Sequence, residues 1–234
     1  MFDFGGKQVL ITGGTSGIGS AIAEAFSHAG AEVLAVGLRS EEILPAPIRT
    51  EILDVTDTTA VNQLVSSLSQ LHVVVNAAGI IRRDQEFNLE VFIQVLDVNL
   101  ISAMRVCLAA YPKLRVSGGS IVNIASMLSF FGGPRVPAYS ASKGGIVQLT
   151  RSLAIAWAGD RIRVNAVAPG WISTPLTEAL RNDAARSAEL VARTPLGRWG
   201  RPEEIAGPVL FLASDLASFL TGAILPVDGG YSAS

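Results

Sequence analysis

Thr12-Gly13-Gly14-Thr15-Ser16-Gly17-Ile18-Gly19 follows the short apolar run Gln8–Thr12 and precedes a helical pattern over Ser20–His28. Ala21, Ile22, Ala25 and Phe26 fall on one face of that helix, and Gly30 stops it. A buried strand thus passes through a glycine-rich turn straight into a helix start. Glycine lets backbone approach a phosphate closely, and the amides of a helix start attract its negative charge. The spacing Gly13, Gly17, Gly19 is not the G-x-G-x-x-G form. A glycine-rich turn without a ligand stays open, but the strand–turn–helix context favours the phosphate cradle.

The same alternation continues down the chain. Strand patterns lie at Glu32–Val36, Glu51–Leu53, His72–Val75, Ser120–Ile124, Arg163–Val167 and Ala223–Val227. Helical patterns lie at Asp57–Leu68, Leu89–Val116, Tyr139–Gly159 and Pro202–Ala213. Strands separated by helices imply right-handed crossovers. The expected fold is therefore a single α/β domain over residues 1–234. It is a Rossmann-type doubly wound parallel sheet of about seven strands, with helices on both faces. Leu38 to Thr50 holds Pro45 and Pro47 and leaves little room for a helix. Trp171 to Gly200 is a long connection, expected to form a substrate lid.

Composition narrows the function classes. The 234 residues carry a net charge of −2, with 16% charged and 49% hydrophobic side chains. Mean hydropathy is +0.42. These values exclude a disordered chain. The lack of a basic excess argues against nucleic acid as a partner. No uninterrupted apolar run approaches the roughly 18 residues of a spanning helix, so no membrane segment is expected. The first residues lack the pattern of a secretory signal, and a cytoplasmic location is expected. One cysteine, Cys107, and two distant histidines, His28 and His72, make a metal site improbable.

Two further places carry chemistry. Asn76-Ala77-Ala78-Gly79 follows the fourth strand, where small residues let a cofactor cross the strand ends. Ser126 ends the fifth strand, and Tyr139 and Lys143 share one helix face in Tyr-Ser-Ala-Ser-Lys. A tyrosine is a poor base near neutrality, and a neighbouring ammonium favours its phenolate. A serine hydroxyl can hold a carbonyl oxygen beside the phenol.

Together these residues resemble the short-chain dehydrogenase/reductase family from Thr12 to nearly the C-terminus. The resemblance rests on Thr12, Gly13, Gly17 and Gly19; on Asn76, Ala78 and Gly79, with Ala77 replacing a frequent second asparagine; and on Asn99 in Asp97-Val98-Asn99. It rests also on Ser126, Tyr139 and Lys143; on Pro169-Gly170 followed by Ile172 and Thr174; and on Val227-Asp228-Gly229-Gly230. It implies reversible hydride transfer between a nicotinamide and a secondary alcohol or ketone. Tyr139 is then the acid and base. Lys143 lowers the tyrosine pKa and binds the nicotinamide ribose, Ser126 orients the carbonyl oxygen, and Asn99 holds a water. Ile172 and Thr174 meet the carboxamide. Asp54-Val55 resembles the adenine-contacting pair. Thr15, Ser16 and Ile18 complete the phosphate turn.

The choice between NAD and NADP is left open, with the balance toward NADP. In relatives that use NAD the second strand often ends in an acidic residue; here that place holds Gly37, followed by Leu38 and Arg39. Arg39 is either a phosphate contact or a solvated loop residue. The glycine-rich loop has no cation to help.

For the substrate side, Met127, Leu128, Phe130, Phe131 and Val136 suggest a largely apolar wall, with Leu176, Leu180, Leu190 and Leu196 as further candidates. Such a wall suits a ketone or acyl group better than a highly charged molecule. Arg82 and Arg83 are expected at the surface. The resemblance implies a homotetramer, with a dimer as the alternative. Three functions are compatible: a dehydrogenase of a sugar, polyol or other carbonyl compound; a 3-oxoacyl-carrier-protein reductase using Arg105 and Lys113–Arg115 as a docking patch; and a non-catalytic cofactor-binding sensor.

Overall fold

The structure is a computed structural model that describes residues 2–38 and 44–233. Arg39, expected to face the cofactor, lies outside the described residues. Seven strands form one parallel sheet in the order β3-β2-β1-β4-β5-β6-β7. They are β1 (Gln8–Thr12), β2 (Glu32–Gly37), β3 (Arg49–Ile52), β4 (Val73–Asn76), β5 (Ser120–Ile124), β6 (Arg163–Pro169) and β7 (Ile224–Val227).

Successive strand residues point to opposite faces, and each face has its own helices. Val9, Ile11, Val73 and Val75 pack with Ile22 and Phe26 of α1 (Gly17–His28) and Val209 of α8 (Glu203–Ala213). Leu10, Val74 and Ile121 pack on the other face with Leu64 of α2 (Thr58–Ser67), Val106 and Leu114 of α4 (Ser102–Ser117), and Leu153 of α5 (Pro137–Trp157). The chain order reverses between β1 and β4, where Thr12 lies between Val36 and Asn76. That reversal opens a crevice at the C-terminal strand ends, where ligands enter sheets of this kind.

Several boundaries differ from the sequence pattern. Helix α1 begins at Gly17, not Ser20, because glycine propensity does not prevent the turn from winding directly into the helix. Its buried face is Ile22, Ala23 and Phe26, with Ala21 and Ala25 only half-buried. β3 starts at Arg49, two residues before the pattern, because edge pairing with β2 extends it through exposed residues. The long pattern over Leu89–Val116 is α3 (Leu89–Leu96), a π-helical turn over Asp97–Ile101, and α4.

The expected absence of a membrane-length apolar helix does not hold. Leu89–Ser117 is long and apolar enough by length and composition to cross a membrane, with a best window of mean hydropathy 1.7 that is 33% buried. Counting uninterrupted runs missed it, because isolated polar residues break the run without lowering the mean. Val95, Val106, Cys107, Ala110 and Leu114 of this rod are packed into the domain.

Candidate active site

The β1–α1 turn is built by steric exclusion. Gly13 has φ +64°, and a Cβ there would stand 2.6 Å from the Ala78 amide nitrogen. A Cβ on Gly19 would collide with the Gly13 carbonyl oxygen. The Ser16 side chain makes no capping bond to α1. Thr15 is buried, and its hydroxyl fills the space that a side chain at Gly37 would need.

From this turn a cavity of about 370 Å³ runs along the strand ends. Gly13, Ser16, Gly17, Ile18 and Gly19 line one end, Ala77 and Gly79 the middle, and Ser126, Tyr139 and Lys143 the far end. Pro169, Gly170, Ile172 and Thr174 form one rim and continue into Pro175, Leu176 and Thr177. The dinucleotide fits this cradle. Its missing Cβ atoms leave backbone open to a pyrophosphate at one end, with a Tyr–Lys pair at the other.

Other expected contacts stand elsewhere. Leu38 is exposed beyond the cavity. The Asp54 carboxylate accepts from its own loop, from Thr56 N at 2.8 Å and Thr56 Oγ1 at 2.7 Å, and Val55 is buried. Ala78 N donates to Thr12 Oγ1 at 3.4 Å. Asn76, expected on the cofactor, turns inward instead. Its Nδ2 donates to Asn123 Oδ1 at 2.8 Å, and Asn123 Nδ2 donates to Thr150 Oγ1 at 2.9 Å. This buried chain ties β4 through β5 to α5, the helix that carries Tyr139 and Lys143.

Asn99 sits in the π turn. Its Oδ1 accepts from Ile80 N at 2.7 Å, and its Nδ2 donates to Ile80 O at 2.9 Å and Ser142 Oγ at 3.1 Å. The Asn99 amide thus secures the loop after β4. Ser126 Oγ accepts from Leu128 N at 3.1 Å and also hydrogen-bonds Tyr139.

None of the five residues expected to form an apolar wall over residues 127–136 lines this cavity: Leu128 and Phe131 are half-buried and Phe130 is exposed. Met127 and Val136 are buried, and Phe131 stacks on Tyr231. Leu176 lines the cavity, Leu180 and Leu190 are buried, and Leu196 is exposed beside Gly229. Arg83, expected at the surface, is half-buried and close enough to act on the Tyr139 phenol. It forms no salt bridge among the described residues, although Asp84 and Glu86 both act on its charge. Asp84 pairs with Arg135, and both Glu86 oxygens accept from backbone amides. Sequence reasoning did not single out Glu86, whose carboxylate reaches the Tyr139 amide; a lone glutamate in a loop carries no pattern.

The comparisons agree with this geometry. A family model described as enoyl-(acyl carrier protein) reductase matches residues 13–232. A 2-dehydro-3-deoxy-D-gluconate 5-dehydrogenase of Bacillus subtilis is 40% identical over 244 residues, covering 98% of this chain and 96% of that protein. The chain belongs to the short-chain dehydrogenase/reductase family. A second dehydrogenase/reductase of this family, the 3-oxoacyl-[acyl-carrier-protein] reductase of Thermotoga maritima, is 39% identical over 246 residues, covering 96% of this chain and 97% of that one. The crystal structure of a proposed 2-deoxy-D-gluconate 3-dehydrogenase from Agrobacterium tumefaciens, with bound NADP, is 43% identical. It superposes with a TM-score of 0.91 over 100% of this chain and 99% of that chain. As a short-chain dehydrogenase/reductase, the protein is an NAD(P)-dependent oxidoreductase of secondary alcohols and ketones.

The electrostatics of the family's Tyr–Lys pair differ here from the simplest expectation. Burial pushes the Tyr139 phenol above its ordinary value; the Ser126 bond and Arg83 pull it down, and Glu86 pushes it up. Burial holds Lys143 down at about 8. Its Nζ donates to Ile124 O at 2.7 Å and lies 5.7 Å from the Tyr139 ring centre. An ammonium has three donors, so two remain for the cavity that Lys143 lines.

The Lys143 shift predicts a pH-dependent stability. Its folded pKa of about 8 lies below the ordinary 10.5, so the unfolded chain binds the proton more tightly. The penalty is full below pH 8 and fades as pH rises toward 10.5. Replacing Lys143 with Met removes it. The stability of K143M relative to the parent should fall by about 3 kcal/mol between pH 7 and pH 10.5. Parallel denaturation midpoints across that range would contradict this account.

Proposed function

We propose that the protein is an NADP-dependent dehydrogenase of a sugar acid, of the 2-dehydro-3-deoxygluconate type, with Tyr139 as its acid and base. The observation that carries the substrate class is Arg83: a half-buried guanidinium, free of salt bridges among the described residues, on the loop after β4 that reaches Tyr139 N through Glu86. A carboxylate presented to Arg83 would place a hydroxyl-bearing carbon of the same molecule near Tyr139. The Bacillus subtilis relative acts on such a compound, and the Agrobacterium tumefaciens structure holds NADP. The Thr15 hydroxyl beside Gly37 supports NADP from this chain's own residues, because it leaves no room for a carboxylate that would repel the 2′-phosphate.

When bound, the cofactor supplies or accepts the hydride at its nicotinamide ring. In reduction Tyr139 gives its phenolic proton to the carbonyl oxygen, which Ser126 Oγ holds in place. In oxidation the Tyr139 phenolate takes the proton of the alcohol. Lys143 uses its two remaining donors on the cofactor ribose. Its charge stabilises the phenolate as it forms. Asn99 keeps Ile80, and with it the Ala77–Gly79 floor, in register with α5. Residues 171–200 serve as the substrate lid, closed at the base by Ser173 N to Gly200 O at 2.9 Å and Gly200 N to Trp171 O at 2.9 Å.

A 3-oxoacyl-carrier-protein reductase is the second reading, favoured by the Thermotoga maritima relative. Its docking patch is weak here. Arg105 is held by Thr58, Val55 and Asp97, Lys113 by Leu68 O, and Arg115 by Asp160. The test is a steady-state panel with 2-dehydro-3-deoxy-D-gluconate, D-gluconate, a neutral polyol and an acetoacetyl thioester, each with NADP(H) and NAD(H). The sugar acids should lead in kcat/KM. Arg83→Gln should raise their KM about tenfold or more while leaving the neutral polyol unaffected. A thioester preference, or equal losses on acid and polyol, would overturn the reading.

Assembly as a homotetramer, with a dimer as the alternative, belongs to the same proposal, as does a cytoplasmic location. Leu89, Ile93, Leu108 and Val116 on the α3–α4 rod and Ile155 on α5 are exposed, and together they form apolar surface of the kind that subunits cover. Light scattering reads the state directly.

A further inference from the structure

We propose that Glu86 is a positioning residue for Tyr139: its buried carboxylate clamps the start of α5 to the loop after β4 and so holds the Tyr139 backbone in place. This rests on the acid–base reading of Tyr139 given above.

The geometry is specific. Glu86 is 1% exposed, the most deeply buried acid among the described residues. Its Oε1 accepts from Arg82 N at 2.8 Å, and its Oε2 accepts from Tyr139 N at 2.8 Å. Helix α5 starts at Pro137 behind Val136, which supplies no side-chain cap. Its early amides would otherwise lack partners, and the positive end of the helix dipole favours an anion there. Glu86 provides the cap from 53 residues away. It thereby fixes the backbone of the very residue whose hydroxyl faces the cavity.

Both atoms held by Glu86 are donors, so the site calls for two acceptors. A carboxylate has two; an amide has one, and its NH2 would face an N–H. The clamp is reinforced nearby. Asp84 N donates to Arg135 O at 2.9 Å, and the Asp84 and Arg135 side chains pair. Between the two ties sits Arg83. The charges that act on the phenol are Arg83 and Glu86 from the loop after β4, with Lys143 of α5 near its ring; the Asp84–Arg135 pair and Arg186 of α7 (Ala184–Ala192) act in turn on Arg83. Glu86 is the negative group acting on Tyr139, and it raises the phenol's proton affinity.

The test reads Tyr139 itself. Tyrosinate absorbance is titrated in the full-length protein and in Glu86→Gln, each with and without Tyr139→Phe, so that the difference isolates one phenol. Glu86→Gln should lower that midpoint by about one pH unit. The pH profile of kcat should move the same way, with kcat about tenfold lower and NADPH affinity nearly unchanged. An unmoved midpoint in a folded E86Q protein overturns the proposal, whatever Tyr139 does in catalysis. Glu86→Asp is the second variant. It keeps the charge but is too short to reach both amides. It should hold the midpoint within about half a unit while losing turnover about fivefold. Full turnover in E86D overturns the positioning role, even if E86Q cannot be produced folded.

Discussion

Tyr139→Phe should lower turnover by about three orders of magnitude while the protein still folds and binds NADPH. The substitution removes one oxygen and leaves the ring that the cavity wall packs against. The bond with Ser126 disappears, and Ser126 keeps its contact with Leu128 N. No other hydroxyl among the described cavity residues combines a tie to Ser126 with the nearby charges of Arg83 and Lys143. Stopped-flow turnover alongside an NADPH fluorescence titration separates the two effects. Turnover within tenfold of the parent would remove Tyr139 from the proton path. Loss of NADPH binding would mean that the phenol serves mainly to hold the cofactor.

Gly19→Ala should abolish cofactor binding, weakening the NADPH Kd by more than about a hundredfold, and should cost about 3 kcal/mol of stability. The added methyl would collide with the Gly13 carbonyl oxygen and come within 3.0 Å of Gly14 Cα. Gly13 has nowhere to retreat, because the Ala78 backbone stands behind it. Relief would require moving the α1 start away from β1, which withdraws the amides from the cavity. Gly207→Ala is the control. A Cβ there meets nothing within 4 Å in the middle of α8, so it should be neutral or stabilising by about 0.5–1 kcal/mol. Equal NADPH affinity in G19A and G207A would sink the steric account of the turn.

The sheet was legible in the sequence because its strands are buried on both faces. Runs such as Val73-Val74-Val75 and Ser120-Ile121-Val122 read as strands without any alternation. β3 was legible only in part, since an edge strand with four exposed residues has no apolar signature, and its start came from pairing with β2. The clustering of Ser126, Tyr139 and Lys143 in one cavity was legible because Tyr139 and Lys143 lie one helical turn apart and Ser126 ends a strand. Asn76 was misplaced for a related reason. Its position at a strand end was clear, but which face its amide would take depends on Asn123 and Thr150, residues distant in sequence.

By itself the sequence determined the order of strands and helices, the glycines that no larger residue can replace at the β1–α1 turn, and the helix that aligns Tyr139 with Lys143. These are local matters of periodicity, sterics and one-turn spacing. Tertiary structure decided what each polar group faces. It brought Glu86 to the Tyr139 amide across 53 residues, left Arg83 half-buried, and engaged Asn99 with Ile80. The reason is physical: a pKa and a hydrogen-bond partner depend on burial and on neighbours across space.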